Sequence, residues 1–348
     1  MRIRLSVPEV QSLPEDRPSK CPRCGNQALQ RVQYHPRRRF LDLKLSSATT
    51  VRYACTKCRK TFHHYPQGVT RKQQSTRLVV FATLLYTLGL SCDATAKVLG
   101  LLGVKISKSS IWRDAQEVGL ALRRRHHREQ WGGIRVMGLD ETVFKVKGKE
   151  AVVGFVTNAH TGDILGVDIL IDRSARGFVK WIRKYARRVR AKVAVTDDLA
   201  TYRPALDELG LQHQVCLPHI RRNVARRLRE IAGQERAKER LRQVMKELPV
   251  DGGQQLLDLA LEFKDTEPRL YSLGLQLSDR WSSITLHTHV AGVPGTNNGS
   301  ERAIAPSKIR YRSMRGMKSY PGLLNMIALT GEVYGRAEEV RMGQALAA

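Results

Sequence analysis

Ile134-Arg135-Val136-Met137-Gly138-Leu139-Asp140-Glu141-Thr142 is the stretch that decides the fold of this chain. Its apolar residues favour a buried central strand, and that strand delivers Asp140 to its end. Asp197 follows a second apolar strand, and Glu301 stands at the start of a later helix. We expect these three carboxylates to meet at one site, where they would bind a divalent cation.

The composition points to a polyanionic partner. The chain has 348 residues, which predicts two or three domains, and 60 Lys and Arg against 32 Asp and Glu give a formal charge of +28. Such a charge indicates nucleic acid, with an anionic membrane surface as the alternative. No apolar run approaches the ~20 residues that cross a bilayer, so we expect no membrane partner. The first residues lack the apolar segment of a signal peptide, which predicts a cytoplasmic protein.

Two cysteine pairs mark residues 1–70 as a small zinc ribbon. Cys21 and Cys24 form one C-x-x-C pair, and Cys55 and Cys58 form the other. In a reducing cytoplasm such pairs are typical zinc ligands, and four thiolates close a tetrahedral site that is structural rather than catalytic. The alternative is four reduced cysteines without a metal. The ribbon is expected to position other parts of the chain or to contact DNA.

Residues 71–130 are expected to form a helix-turn-helix domain followed by a basic linker. An apolar helix is predicted over 76–88, a second begins after Ser91, and a third begins near Ser107. The polar and basic first turn of the third helix suits a DNA major groove, with Lys108, Ser109 and Arg113 as the contacting residues. A helical bundle that serves only as a spacer is the alternative. The run of arginines and histidines over 123–128 is predicted to be the linker.

Beyond residue 131 the pattern predicts an α/β domain. Three antiparallel strands are followed by a helix over 174–190, a strand over 192–196, a helix over 199–209 and a strand over 212–216. This order is that of a ribonuclease H-like core, which we place over 131–219. A helical insertion over 220–292, opening with one long helix over 220–248, would interrupt the core. Residues 293–348 would complete it with C-terminal helices.

The first and second acids each have an acidic neighbour that complicates the assignment, and we expect Glu141, beside Asp140, to support the site from behind or to lie at the surface. Alternation along a strand points Asp197 and Asp198 to opposite sides, and we choose Asp197 because Asp198 suits a helix cap. Two Mg²⁺ ions ~3.5–4 Å apart would promote phosphodiester cleavage, and magnesium needs only two or three carboxylates beside its waters. Pro306, in the helix that begins near Glu301, is expected to kink it.

The chain resembles bacterial insertion-sequence transposases of the DDE class. The matching segments are Leu139-Asp140-Glu141-Thr142, Val195-Thr196-Asp197-Asp198-Leu199-Ala200-Thr201-Tyr202, Cys216-Leu217-Pro218-His219 and Thr296-Asn297-Asn298-Gly299-Ser300-Glu301-Arg302-Ala303-Ile304-Ala305-Pro306. One departure is Asp198, which occupies a position where the family usually has glycine.

The resemblance implies the catalytic residues, the cofactors and the partners. Asp140, Asp197 and Glu301 would hold two Mg²⁺ ions, with Mn²⁺ as a substitute, and the zinc would be structural. Lys308 would face substrate DNA, flanked by Arg302 and Arg312. Cys216 and His219 form an auxiliary motif, in which the cysteine packs at a strand end and the histidine orients a carboxylate or contacts DNA. The partners would be two kinds of double-stranded DNA, namely the ends of the mobile element and the target site.

The family cleaves at inverted repeats and joins the freed 3′-hydroxyl to target DNA, as a homodimer or larger assembly on paired ends, at the bacterial nucleoid. Two other functions stay open. One is a DNA-binding regulator whose transposase core is inactive, and the other is a ribonuclease H-fold DNA nuclease. Cleavage without strand joining would indicate the nuclease, and binding without cleavage would indicate the regulator.

Overall fold

The computed structural model describes residues 4–5, 7–128, 132–314, 316–335 and 339–340. The chain divides into two compact units, one formed by 1–128 with 309–348 and the other by 129–308. The elements before the second unit are β1 (Arg4–Leu5), β2 (Leu29–Arg39), β3 (Ser47–Cys55), β4 (Thr61–His64), α1 (Thr76–Thr87), α2 (Cys92–Leu101) and α3 (Lys108–Arg128). The architecture is mixed α/β, as predicted.

The remaining elements begin with the core of the second unit. They are β5 (Val136–Val146), β6 (Lys149–Asn158), β7 (Ile164–Ile169), α4 (Ala175–Val189), β8 (Val193–Thr196), α5 (Tyr202–Glu208), β9 (Gln212–Val215), α6 (Leu217–Arg229), α7 (Glu235–Glu247), α8 (Gly252–Glu262), α9 (Pro268–Asp279), α10 (Trp281–His289), α11 (Asn298–Ser313), α12 (Tyr320–Tyr334) and β10 (Glu339–Val340). None of the described helices is long and apolar enough to cross a membrane.

A buried ion pair fixes the segment after β2 to the start of α1. Asp42 accepts hydrogen bonds from Ser75 and from Arg77, whose Nη2 lies 2.6 Å from its Oδ2. Burial by itself would raise the pKa of Asp42, but these donors hold the pKa well below its usual range. Ser75 is also the N-cap of α1, where its hydroxyl accepts from the Leu78 amide. The three-stranded antiparallel sheet β2-β3-β4 precedes this junction.

The helices of the first unit begin where the capping serines predict, but two features differ from expectation. Ser91 caps α2, and the Ser107 hydroxyl accepts from the Ser110 amide at the start of α3. The predicted basic linker over 123–128 is helical, because α3 continues to Arg128. The C-terminal helix α12, expected in the catalytic core, packs on α3 instead, where Asn325 donates to the Gln116 carbonyl.

Arg310 is buried rather than part of an exposed basic surface. Its guanidinium donates to the carbonyls of Gly89 and Leu90 just after α1, and it lies 4.5 Å from the ring centroid of Tyr86. A cation at a helix C-terminus satisfies carbonyls that have no partner within the helix. This arginine therefore contributes to packing, and not to the surface charge.

The five-stranded sheet of the second unit has the predicted element order. Its strands lie in the order β7-β6-β5-β8-β9, with β5, β6 and β7 antiparallel and with β8 parallel to both β5 and β9. Helices α4 and α5 cover the sheet through Phe178, Tyr185 and Tyr202, which are fully buried. The central strand is β5, so the stretch around Asp140 lies in the middle of the sheet.

The helical insertion has its own core, and its first helix is shorter than predicted. The single helix expected over 220–248 is two helices, α6 and α7, separated by Gly233 at φ 65°. An L-residue rarely adopts that conformation, which ends the first helix. Trp281 packs against Gly252 and is 8% exposed, so it is a buried anchor of the insertion. Helix α11 continues through Pro306 to Ser313.

Candidate active site

Asp140 and Asp197 lie side by side, but only Asp197 follows the end of its strand. The expected strand end at Asp140 is wrong, because β5 continues to Val146 and Asp140 is paired with Phe155 of β6. Gly138 of β5 is paired with Val195 of β8. Asp140 lies two residues after Gly138, and Asp197 lies two residues after Val195. Because side chains alternate along a strand with a period of two, the two carboxylates lie on the same face. Asp198 faces another partner, since it forms an ion pair with Arg280 and accepts from Asn223. The structure thus places Asp197, and not Asp198, beside Asp140.

The two carboxylates are buried enough to disfavour their charged forms. Burial, with the nearby charges of Asp197 and Glu141, raises the pKa of Asp140 to about 7. Burial also raises the pKa of Asp197, and Asp198 adds to the effect. Lys308 acts in the opposite direction on Asp140, so the predicted basic residue of α11 lies close enough to influence the site. The pair is a concentration of negative charge that a bound cation would relieve.

Glu301 lies in the first turn of α11 and reaches the other acids through a histidine. Nε2 of His219 is 3.6 Å from Oε1 of Glu301, whose side chain is 49% exposed. The same histidine lowers the pKa of Asp197, so its ring lies within electrostatic range of both acids. Among the described residues, the three acids do not form a group whose ligand atoms all lie within 4.8 Å. His219 is therefore within range of both Glu301 and Asp197, although the structure does not bring the three acids into one tight cluster.

The start of α11 is fixed to β5 by a buried polar network. The Asn297 side chain donates to the Leu139 carbonyl, 2.8 Å away, and accepts from the Ser300 hydroxyl. Ser300 also hydrogen-bonds to Thr157 of the neighbouring strand. Cys216 accepts from the Asn297 amide at 3.3 Å, which gives this buried cysteine a positioning role. The first turn of α11, which carries Glu301, is thereby fixed to the strand that carries Asp140.

Gly138 leaves the space that this network occupies, and its replacement by alanine is expected to cost about 1–3 kcal/mol of stability. A Cβ at this position would meet Ser300 and would lie 2.6 Å from Thr157 Oγ1 and 2.9 Å from Asn297 Oδ1. Urea denaturation of the full chain measures the effect. Gly132→Ala is the matched control, since its Cβ would meet nothing within 4 Å. Equal stability of the two variants would contradict the packing described above.

The sequence did not reveal the partner of Glu141. The Tyr202 hydroxyl, fully buried, donates to the Glu141 carboxylate. Burial raises the pKa of Glu141, while this hydrogen bond lowers it. The spacing of Tyr202 from Asp197 fits the resemblance, and the structure shows that Tyr202 also holds Glu141, the neighbour of Asp140. Glu141 is thus an inner residue of the site rather than a surface residue.

The predicted DNA-binding side chains are exposed. Lys108, Ser109 and Arg113 lie on the first turns of α3, and Arg113 folds back to donate to the Ser109 carbonyl. Arg302 and Lys308 are exposed on α11 in the second unit. Arg312 is exposed on the part of α11 that belongs to the first unit. Each of these side chains is accessible to a ligand.

The four ribbon cysteines form one compact cluster. The Sγ atoms of Cys21, Cys24, Cys55 and Cys58 lie within 4.8 Å of one another, with 3.8 Å between Cys21 and Cys58 and 3.6 Å between Cys24 and Cys55. Zn–S bonds of about 2.3 Å give a tetrahedron with edges of about 3.8 Å. The amide of Cys58 is the main cause that lowers the pKa of Cys55 to about 6. The cluster therefore fits a structural zinc ion.

We expect the purified chain to contain about one zinc ion, and Cys55→Ser to reduce the zinc content to near zero. The reason is that three thiolates and a hydroxyl hold zinc far more weakly than four thiolates. Elemental analysis by mass spectrometry after dialysis measures the content. Cys92→Ser is the control because Cys92 lies outside the cluster. A folded wild-type chain that keeps no zinc would rule out the ribbon assignment.

Comparison with known proteins gives limited information. No family model matches this chain, and no curated protein matches it. Solved structures do match, and one is the crystal structure of the catalytic core domain of BIV integrase. It is 13% identical, and the match covers 52% of this chain and 96% of that chain with a TM-score of 0.21. A TM-score of that size does not establish a shared fold. The fold and the site are therefore described from the sheet and its side chains alone.

Proposed function

We propose that this chain is a DDE-class DNA transposase that binds the inverted-repeat ends of its element, cleaves DNA there and joins the freed 3′-hydroxyl to target DNA. The observation that carries the proposal is the pair of half-buried aspartates, Asp197 at the end of β8 and Asp140 beside it on the central strand β5. Two acids with raised pKa values at such a position are typical of a catalytic site rather than of a structural ion pair.

The sheet supports a ribonuclease H-like core. Three antiparallel strands are followed by two parallel strands on the far side of the first, with a helix between each successive pair from β7 onward. Ligands of open α/β sheets bind at the carboxyl ends of the parallel strands. Asp197 follows the end of β8, and Asp140 lies two residues beyond the part of β5 that pairs with β8. The helical insertion from α6 to α10 lies in sequence between Asp197 and Glu301, as in the transposases that the chain resembles.

The residues of the site fit magnesium. Carboxylate oxygens are the ligands that this hard cation prefers, and Asp140 and Asp197 supply them. Among the residues that the structure describes, neither carboxylate forms an ion pair with a lysine or an arginine. Magnesium would activate the attacking oxygen and neutralise the charge that develops at the phosphate. Asp140 and Asp197 would hold it, Tyr202 would hold Glu141 in place, and His219 would orient Glu301 from the first turn of α11.

The other modules would supply DNA affinity. In this proposal α3 presents Lys108, Ser109 and Arg113 to the major groove, and Arg302, Lys308 and Arg312 contact the backbone near the cleavage site. The zinc ribbon would position or extend this contact. The resemblance to insertion-sequence transposases further suggests a homodimer or larger assembly on paired ends, in the cytoplasm at the bacterial nucleoid.

Cleavage of the element's own ends tests the proposal. The DNA that flanks the gene is searched for short inverted repeats bounded by a target duplication, and a labelled duplex that carries one repeat is incubated with the protein and Mg²⁺. We expect nicks at the repeat boundary and, with added target duplex, joined products on a denaturing gel. Cleavage without joining would favour a ribonuclease H-fold nuclease. Tight binding without cleavage would favour a regulator with an inactive core.

A further inference from the structure

Helix α6 carries a row of cationic side chains that starts at the candidate active site. Arg222, Arg226 and Arg229 follow His219 at intervals of three, four and three residues. At 3.6 residues per turn these four side chains fall within an arc of about 80° on one side of the helix. His219, the first of them, contacts Glu301. The row, here called the α6 arginine row, therefore leads away from the acids.

The opposite side of the same helix is the buried one. Leu217, Ile220, Val224 and Leu228 are buried in the core of the insertion, and the helical repeat places their mean direction about 180° from the arginine row. The three arginines are exposed. Packing of α6 thus fixes the direction of the row toward solvent, and the row makes no contribution to the core.

The other arginines of α6 are used within the fold, and those of the row are not. Arg221 donates to the carbonyls of Met245 and Lys246 at the end of α7, and Arg227 donates to Gln276. In the described part of the chain no ion pair involves Arg222, Arg226 or Arg229, and Arg229 donates only to the Ala225 carbonyl of its own helix. Three unpaired guanidinium groups on one face repel one another unless an anion lies across them.

We propose that the α6 arginine row binds successive phosphates of the DNA strand that enters the candidate active site, and this inference rests on the proposed function. The rise from Arg222 to Arg229 is roughly 10 Å, which is similar to the axial rise of about three base pairs of B-form DNA, so the long side chains of the row can reach neighbouring phosphates of one strand. Guanidinium groups bind phosphate through paired donors, and the formal charge of +28 favours a polyanion. The insertion is then a DNA-binding arm, and not only a structural domain.

The salt dependence of DNA binding tests the row. We use the full chain with Asp140→Asn in buffer without added Mg²⁺, so that no cleavage occurs and the zinc site stays intact, and measure the anisotropy of a labelled random-sequence duplex between about 50 and about 300 mM NaCl. Each lost phosphate contact makes the slope of log K against log salt shallower by about 0.9. Arg222→Gln, Arg226→Gln and Arg229→Gln together are expected to reduce the slope by about 2–3.

The control removes the same charge from the neighbouring helix. Arg236→Gln, Arg240→Gln and Arg242→Gln lie on exposed positions of α7, where Arg240 and Arg242 are paired with glutamates. We expect this triple variant to change the slope by less than about 0.5. Equal changes in both triple variants would mean that only net charge matters and would overturn the proposal, as would an unchanged slope in the α6 variant.

Two further comparisons separate this inference from the proposed function. Arg226→Gln alone is expected to reduce the slope by about 0.9, which gives a result even if the triple variant folds poorly. Cleavage is measured separately with Asp140 restored and Mg²⁺ present. A reduced slope in a chain that never cleaves DNA would keep the DNA-binding row and reject the transposase. Cleavage with an unchanged slope would do the reverse.

Discussion

Replacement of Asp140 by asparagine is expected to lower Mg²⁺-dependent DNA cleavage by about 10³-fold or more. The amide is a weaker ligand and carries no charge, so the loss of several kcal/mol of stabilisation at the developing phosphate charge corresponds to a factor of that size. Asp140 lies on the central strand β5 beside Asp197. Among the described residues, no other carboxylate lies at this place on β5 and could replace it. The rate of nicking of a repeat-containing duplex measures the effect.

The same variant is expected to keep its DNA affinity. The exposed cations that would contact DNA are unchanged, and the removal of a buried negative charge disturbs none of them. Asp258→Asn serves as the control, because Asp258 is a surface residue of α8 that accepts from Gln254. If the Asp140 variant cleaves at the rate of the control, the acid pair is not catalytic. A parallel loss of binding would point to a folding defect rather than to a chemical one.

The local features of the fold were predictable because short-range chemistry determines them. Ser75, Ser91 and Ser174 cap helices through their hydroxyls, and the buried start of β5 follows from the apolar residues around Val136 and Leu139. The adjacency of Asp140 and Asp197 follows from the same reasoning, although β5 does not end at Asp140 but continues to Val146. A parallel pair of strands requires their carboxyl ends to lie at one edge, whatever the rest of the chain does.

The features that were missed depend on contacts between distant residues. The apolar stripe of α6 runs on toward Ile231, so nothing before Gly233 shows that the helix ends. Helix α12 has an apolar face that fits many partners, and its sequence does not reveal that the partner is α3. The charge of Arg310 favours an exposed position, but its guanidinium contacts the carbonyls that follow α1 and the ring of Tyr86.

The candidate site was predictable in its acids and not in its supports. Cys216 and His219 were recognised by their spacing, with open alternatives for the role of each. The structure distinguishes them, because Cys216 accepts from the Asn297 amide while His219 contacts Glu301. Neither contact is visible in the sequence, since each joins residues that are about 80 positions apart. Asn297 links the two halves of the site through its bond to the Leu139 carbonyl.

In the absence of metal, the charge on Asp140 is expected to reduce stability as the pH rises. The pKa of this carboxyl is about 7 in the folded chain, against an ordinary value of 3.8. Between about pH 4 and pH 7 the folded chain therefore holds a proton that the unfolded chain releases, so the free energy of unfolding falls with increasing pH. This cost of burial is the free energy that a cation can recover when it binds to the ionised pair.

Mg²⁺ should therefore bind more weakly at low pH, by about tenfold for each pH unit below 7. The metal must displace the proton of Asp140, so between pH 8 and pH 5.5 the apparent affinity of the full chain is expected to fall by about 30-fold. The increase in melting temperature with added Mg²⁺, measured without DNA at both pH values, reports the change through RT ln(1 + [Mg²⁺]/Kd). Asp140→Asn is the control, and its smaller increase should not follow this pH dependence. An equal increase at pH 8 and pH 5.5 in the wild-type chain would show that Mg²⁺ binds elsewhere, because an ordinary surface carboxylate is already ionised at pH 5.5.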